Sequence, residues 1–293
     1  MVTKRTLGGR TFDIINTLAL LLLVVLTAYP VLYVIIASVS DPIQVYKGSK
    51  LLLWPRGFSL QTYRIVFDYP SLWMGYRNTI IYVGLGTLIS LFFTILGAYG
   101  LSRPYLPGRV ALTFFIAFTM YFSGGVIPTF LLVHGLGMYD SPLAMMIPSA
   151  VSTFNLIIMI SYFRGIPESL EESAKIDGAS EYRILAQIFV PLCVPVIAVI
   201  ALYYAVAKWN SYFQAVIYLR SRKYYPLQLI LREILIQNDQ TMLAGDGAYA
   251  GMEAYAQNVK YASIVVSTVP ILMIYPFIQK YFVKGIMIGA IKG

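Results

Sequence analysis

One cysteine and one histidine in 293 residues leave this chain almost nothing from which to build a disulfide or a metal centre. Cys193 stands between Pro191 and Pro195 with no second thiol to bridge to, and reads as a small packing residue. His134 is equally alone, and a lone imidazole is a poor metal ligand, so no metal site is expected. Charge is scarce as well: Asp, Glu, Lys and Arg make up 12% of the chain against 58% hydrophobic residues. With a mean hydropathy of +0.71, that excludes an ordinary water-soluble domain. Acidic residues are outnumbered 13 to 22, giving a net charge of +9. With no soluble basic domain to lie along a duplex, this excess points to anionic lipid or anionic cargo and away from nucleic acid. No Gly-x-x-x-x-Gly-Lys-Ser/Thr phosphate loop, Gly-x-Ser-x-Gly elbow or His-Glu-x-x-His pair occurs, so the chain does not read as an enzyme.

What is present is a series of apolar stretches. Spans long enough to cross the hydrocarbon layer are read at roughly 13–38, 75–100, 109–133, 141–162, 190–218 and 261–283. The expectation is an all-α polytopic membrane protein with six transmembrane helices. The first stretch follows Lys4, Arg5 and Arg10 as a secretory signal would, but it exceeds an h-region in length and no clear small-residue cleavage site follows. It is read as a retained helix. Lys and Arg divide evenly between the two sides. The basic N-terminus and the compact turn from Arg103 to Arg109 then decide the orientation, and both termini are expected to be cytoplasmic.

Between these flanks lies a polar island over residues 164–190, containing Pro167, Glu168, Ser169, Glu171, Glu172, Ser173, Ala174, Lys175, Asp177 and Gly178. Pro167 favours a helix start and Asp177-Gly178 a sharp turn, and Ala179 to Val190 has the pattern of a second amphipathic helix. Ser169 and Glu172 have capping-box spacing, and Glu171 with Lys175 forms a favourable i,i+4 pair. Either feature alone describes a surface helix. Together, in this order and between two spans, they resemble the Glu-Ala-Ala coupling loop of ATP-binding-cassette importer permeases. Glu172, Ser173, Ala174, Gly178 and Val190-Pro191 meet that pattern, and Ser173 departs from it by one hydroxyl.

Further segments are similar to the carbohydrate branch of that family, the maltose-importer-like permeases that handle complex oligosaccharides. They are Tyr121 to Pro128, Trp209-Asn210-Ser211-Tyr212-Phe213, and the ending from Tyr281 to Gly293. The resemblance implies a type I importer permease in a bacterial inner membrane. It divides the chain into an N-terminus, first helix and external loop (1–74), a core permease domain (75–283) with its coupling loop (164–190), and a cytoplasmic tail (284–293). Glu171, Glu172, Ala174, Asp177 and Gly178 would meet the ATPase, joined by Gly285, Gly289 and Lys292 of the tail. The implied partners are a homologous second permease, two ATPase subunits that hold ATP-Mg, an extracytoplasmic solute-binding protein and an oligosaccharide. This chain itself would bind no cofactor.

Two features remain open in the sequence. Gly84, Gly86, Gly97, Ala98 and Gly100 allow close helix approach, within the chain or to another subunit. Lys208 lies about 25 Å along the fifth span from Pro191. It either snorkels to the outer interface beside Trp209 or, with Tyr203, Tyr204 and Asn210, lines a translocation path and attracts a carboxylated sugar. The external stretches 39–74 and 220–260 read as binding-protein contacts or passive connectors. An ion-coupled secondary transporter is the alternative, but it would be expected to place Asp or Glu deep within a span, and the six spans hold them only at their ends.

Overall fold

Proline and glycine decide where the helices of this chain stop. The computed structural model describes residues 7–49, 51–243 and 250–290, and over them the fold is all-helical, with one isolated bridge between Ser40 and Phe58. The helices Leu7–Ser38 and Pro70–Ser102 match the first two expected spans and extend both. Among the described residues these two are long and apolar enough to cross a membrane, and a third qualifies if a bent pair counts as one span.

The third, fourth and fifth expected spans are interrupted, whereas the sixth, 261–283, lies within one continuous helix. The stretch 109–133 divides into Arg109–Phe118 and Val126–Gly135, because Gly124 and Gly125 disfavour helix and Gly125 takes φ 85°. The stretch 141–162 divides into Leu143–Met146 and Thr153–Arg164, with Pro148 in the gap and Ser152 capping the second helix. The fifth span bends by 84° between Glu181–Leu192 and Val194–Trp209. Pro195 supplies no N–H and its ring crowds the carbonyl of Pro191, which accounts for the break. The second amphipathic helix also differs from expectation: it starts at Glu181 rather than Ala179, and Leu185–Phe189 winds as a π-helix. After Trp209 the chain breaks at Asn210 and resumes as Tyr212–Tyr218. The last helix, Ala250–Ala290, runs through Lys284 without interruption, and Lys292 lies outside the described residues.

The chain forms two compact units. The first comprises residues 1–70 with 231–268. Its long N-terminal helix leaves Leu18, Leu22, Val25 and Leu26 more than half exposed, an apolar surface that only lipid or another chain can cover. The stretch after it is folded rather than loose. Asp41 caps Pro42–Lys47 through the Gln44 N–H at 3.0 Å. The Asn258 amide donates to the Ser40 carbonyl at 3.0 Å, and Tyr46 donates to Glu253 at 2.7 Å.

The second unit comprises residues 71–230 with 269–293 and holds a large buried cluster. Tyr99, Phe163 and Phe189 meet edge-on with ring centroids 5.2–6.4 Å apart, over Ala98, Met159, Ile184 and Ile200. Asn78 donates to the carbonyls of Lys223 and Tyr225 at 2.9 and 3.0 Å, and Tyr82 donates to that of Tyr224 at 2.8 Å. Thr79 accepts the Leu227 N–H at 2.8 Å. Residues 223–227 are therefore strapped to the long helix. Of the small residues expected to permit close approach, Gly86 and Gly97 face Lys208 and Leu156, and Ala98 is fully buried. Gly84 and Gly100 face open space.

Candidate coupling site and transport cavity

The polar island folds into a helix, Glu168–Ile176, that starts two residues earlier than a capping box at Ser169 and Glu172 requires. Pro167 occupies the capping position and no side chain caps the helix, so the expected capping box does not form. Its other end is closed firmly. The Ala179 N–H donates to Ala174 O at 2.9 Å and the Gly178 N–H to Lys175 O at 3.0 Å. Gly178 takes φ 76°. This is a Schellman ending, in which the left-handed residue favours glycine and Ala174 and Ala179 pack on the same buried cluster.

The two carboxylates of the motif part company. Glu171 is buried and forms an ion pair with Arg103, itself 5% exposed, from the end of helix Pro70–Ser102. Glu172 and Asp177 are exposed. Arg103 also donates to Phe163 O at 3.4 Å and Ser102 Oγ at 3.1 Å, and its guanidinium lies 4.4 Å from the Phe189 ring centroid. One cation thus ties together the ends of three helical segments and helix Glu168–Ile176. Lys175 adds to the knot at 2.7 Å from Glu171 and 2.9 Å from Glu181, over the Tyr105 ring at 4.4 Å. Hydrogen bonds to Glu171 and then Glu181 hold its ammonium above the usual lysine range. Tyr99 and Tyr105 donate to Glu181 at 2.5 and 3.1 Å. A cavity of about 290 Å³ opens beside this end, lined by Ala174, Asp177, Ala179, Arg183, Ile184, Gln187 and Ile188.

Arg103 entered the sequence reading only as a basic turn residue, and Tyr99, Tyr105 and Glu181 did not enter it as site residues. Arg103 and Glu171 are 68 positions apart, and no local spacing signals that pairing. Of the expected tail residues, Gly285 and Gly289 fall within the last helix and Lys292 lies outside the described residues.

A second cavity, of about 350 Å³, is lined by Ser149, Val151, Ser152, Phe154, Asn155, Tyr203, Tyr204, Ala207, Lys208 and Gln214. That volume lies within the range of small-ligand sites. Three of the four residues expected on a translocation path meet here. Asn210 does not: it is exposed at the end of helix Val194–Trp209, and its amide donates to Val206 O at 2.9 Å. Tyr204 is buried, its hydroxyl 2.7 Å from Thr94 Oγ1 and accepting the Ser152 N–H at 2.9 Å, so it fixes the wall. Lys208 is 4% exposed and, among the described residues, its ammonium reaches only Met146 O, at 3.5 Å.

The chain matches the family model for the inner membrane component of binding-protein-dependent transport systems over residues 12–288, and it belongs to that family. The family is a non-enzymatic component of such systems, as the absence of catalytic motifs in the sequence led one to expect. Among its relatives, the polygalacturonan/rhamnogalacturonan transport system permease protein YtcP of Bacillus subtilis (strain 168) is 42% identical over 285 residues, covering 97% of this chain and 99% of the relative. The arabinooligosaccharides transport system permease protein AraQ of the same organism is 26% identical, covering 96% of each. A chain from the crystal structure of a bacterial ABC transporter for import of the acidic polysaccharide alginate superposes with a TM-score of 0.87 at 35% identity, covering 96% of this chain and all of that one. The type I importer permease fold expected from the coupling-loop resemblance is the one observed.

Proposed function

We propose that this chain forms one half of the translocation pore of an ATP-driven bacterial importer for an oligosaccharide. The observation that carries the reading is the coupling helix: its inner carboxylate is locked to Arg103 while Glu172 and Asp177 face outward beside an open cavity. Such an element is held rigidly by its own chain and presents a polar face to another. That face meets a separate ATPase subunit, which holds ATP-Mg, and Arg103 passes the resulting displacement to the long helix and the aromatic cluster. The complete assembly has a homologous second permease, two ATPases and an extracytoplasmic solute-binding protein. Six spans place both termini in the cytoplasm, with the interrupted apolar helices pairing to complete the count. A carbohydrate cargo is supported by the names of all three relatives, an oligosaccharide by one of them, and an acidic, alginate-like cargo by the polygalacturonan and alginate named for the other two.

The test is reconstitution of the chain with a second permease, ATPase subunits and a solute-binding protein. Oligosaccharide-loaded binding protein should stimulate ATP hydrolysis and uptake, and Glu172→Ala should abolish the stimulation while the chain remains in the membrane. Uptake driven by an ion gradient without ATP would instead establish the secondary-transporter alternative.

A further inference from the structure

We propose that the cavity beside Lys208 binds a carboxylate of the cargo, and that Lys208 is its specificity-determining residue. This rests on the reading of the chain as an oligosaccharide permease and assigns the place where acidic sugar units are told from neutral ones.

The argument begins with the cost of the lysine. A buried ammonium is retained when it has a partner or a function, because desolvating an isolated charge is expensive. Lys208 is 4% exposed, and a main-chain oxygen at 3.5 Å is all that its ammonium reaches among the described residues. No carboxylate forms an ion pair with it among the described residues, in contrast to Arg103 and Lys175, which share Glu171. Snorkelling is not what the side chain does: it remains inside the second unit and contributes to the cavity wall.

The neighbouring helix is shaped to hold it there. A Cβ at Gly86 would lie 2.7 Å from Lys208 Cδ and 2.8 Å from Cε, so the stem occupies the room that the missing side chain leaves. One turn on, Ser90 is fully buried and its hydroxyl makes no hydrogen bond; two turns on, Thr94 meets Tyr204. Gly86, Ser90 and Thr94 are a single face of helix Pro70–Ser102 set against Lys208 and Tyr204, themselves one turn apart. Across the cavity stand Ser152, Asn155 and Gln214, hydrogen-bonding residues suited to sugar hydroxyls, with the Tyr203 ring to stack on a pyranose. A fixed ammonium without a counter-charge among the described residues, in a mostly apolar cavity that carries a few hydrogen-bonding side chains and an aromatic wall, suits a uronate residue: carboxylate on the lysine, hydroxyls on the amides and serine.

The experiment compares two cargoes of equal length, an oligouronate and the same oligomer with its carboxyls reduced to primary alcohols. Uptake by the reconstituted full complex is measured for the unmodified chain, Lys208→Met and Gly86→Ala. Lys208→Met keeps the stem and removes the charge. Gly86→Ala keeps the charge and displaces the stem, and serves as the second variant should the first assemble poorly. The expected result is a rise of roughly tenfold or more in KM for the oligouronate in Lys208→Met, a smaller rise in Gly86→Ala, and a change within about twofold for the reduced oligomer in both. Equal losses for both cargoes, or no loss, overturn the proposal and leave the permease reading intact. An unmodified complex that moves neither cargo also overturns the proposal, whereas the permease reading fails separately, on uptake driven by an ion gradient without ATP.

Discussion

Arg103→Met is expected to loosen the coupling helix by an amount that a double-substitution cycle with Glu171→Gln can isolate. Arg103 is 5% exposed and its guanidinium is shared among Glu171, Phe163 O, Ser102 Oγ and the Phe189 ring. Breaking a buried ion pair by removing one partner costs about 3–5 kcal/mol, because the remaining charge is left without compensation. Here Glu171 keeps Lys175 at 2.7 Å, so the low end, about 3 kcal/mol, is the expectation, or about two decades in the folding equilibrium. Glu171→Gln strands the arginine instead, at a comparable cost. The double variant carries neither charge, so its loss should fall short of the sum by about 1.5–3 kcal/mol. Denaturant titration of the purified chain in detergent, followed by tryptophan fluorescence, gives the four stabilities. In the reconstituted complex the single variants should lower cargo-stimulated ATP hydrolysis more than the basal rate. Additivity within about 0.5 kcal/mol would refute the pair as an energetic link. Unchanged stimulation would refute it as a mechanical one.

Gly178→Val places a β-branched residue at φ 76°, which costs about 1–2 kcal/mol and undoes the Schellman ending. ATPase attachment, read by co-purification against salt, should weaken by roughly tenfold while membrane insertion is unchanged. Truncation after Lys284 should lower coupled turnover and leave the permease pair assembled; full transport in the truncated complex would remove the tail from the ATPase contact. Asp140 accepts the N–H groups of Ser221 and Arg220 at 2.7 and 2.9 Å, and hydrogen bonds from the Ser221 hydroxyl and N–H depress its carboxyl below the usual range. A depressed carboxyl stabilises above its unfolded value and loses that contribution as pH falls through the folded one, so the loop should be fully held at neutral pH. Asp140→Ala should then raise tryptic cleavage at Arg220, Arg222 or Lys223 by roughly fivefold at neutral pH, the equivalent of about 1 kcal/mol, and an unchanged rate would discard the clasp.

Composition and local pattern determined that this is a helical membrane protein, and residues 164–178 determined its class. Both follow from short-range physics: apolar length sets what bilayer a helix can enter, and a proline start with a glycine stop sets where a polar helix begins and ends between spans. The Glu171–Lys175 pair and the turn at Gly178 were legible for that reason, because each closes within two helical turns. Prolines and glycines broke the later spans where periodicity alone ran straight through Gly125, Pro148 and Cys193, since an apolar average does not register a missing N–H or a residue with φ 85°. The inward turn of Glu171 and the outward face of Glu172 were decided by tertiary structure alone. So were the pairing of Arg103 with a carboxylate 68 residues away and the removal of Asn210 from the cavity. Adjacent positions on a helix point about 100° apart, and which of the two becomes buried depends on what the distant chain places beside it. The same holds for Lys208. Its sequence neighbours allowed either an interfacial or an interior lysine, and only the glycine face of another helix, Gly86 foremost, made room for the stem inside the protein.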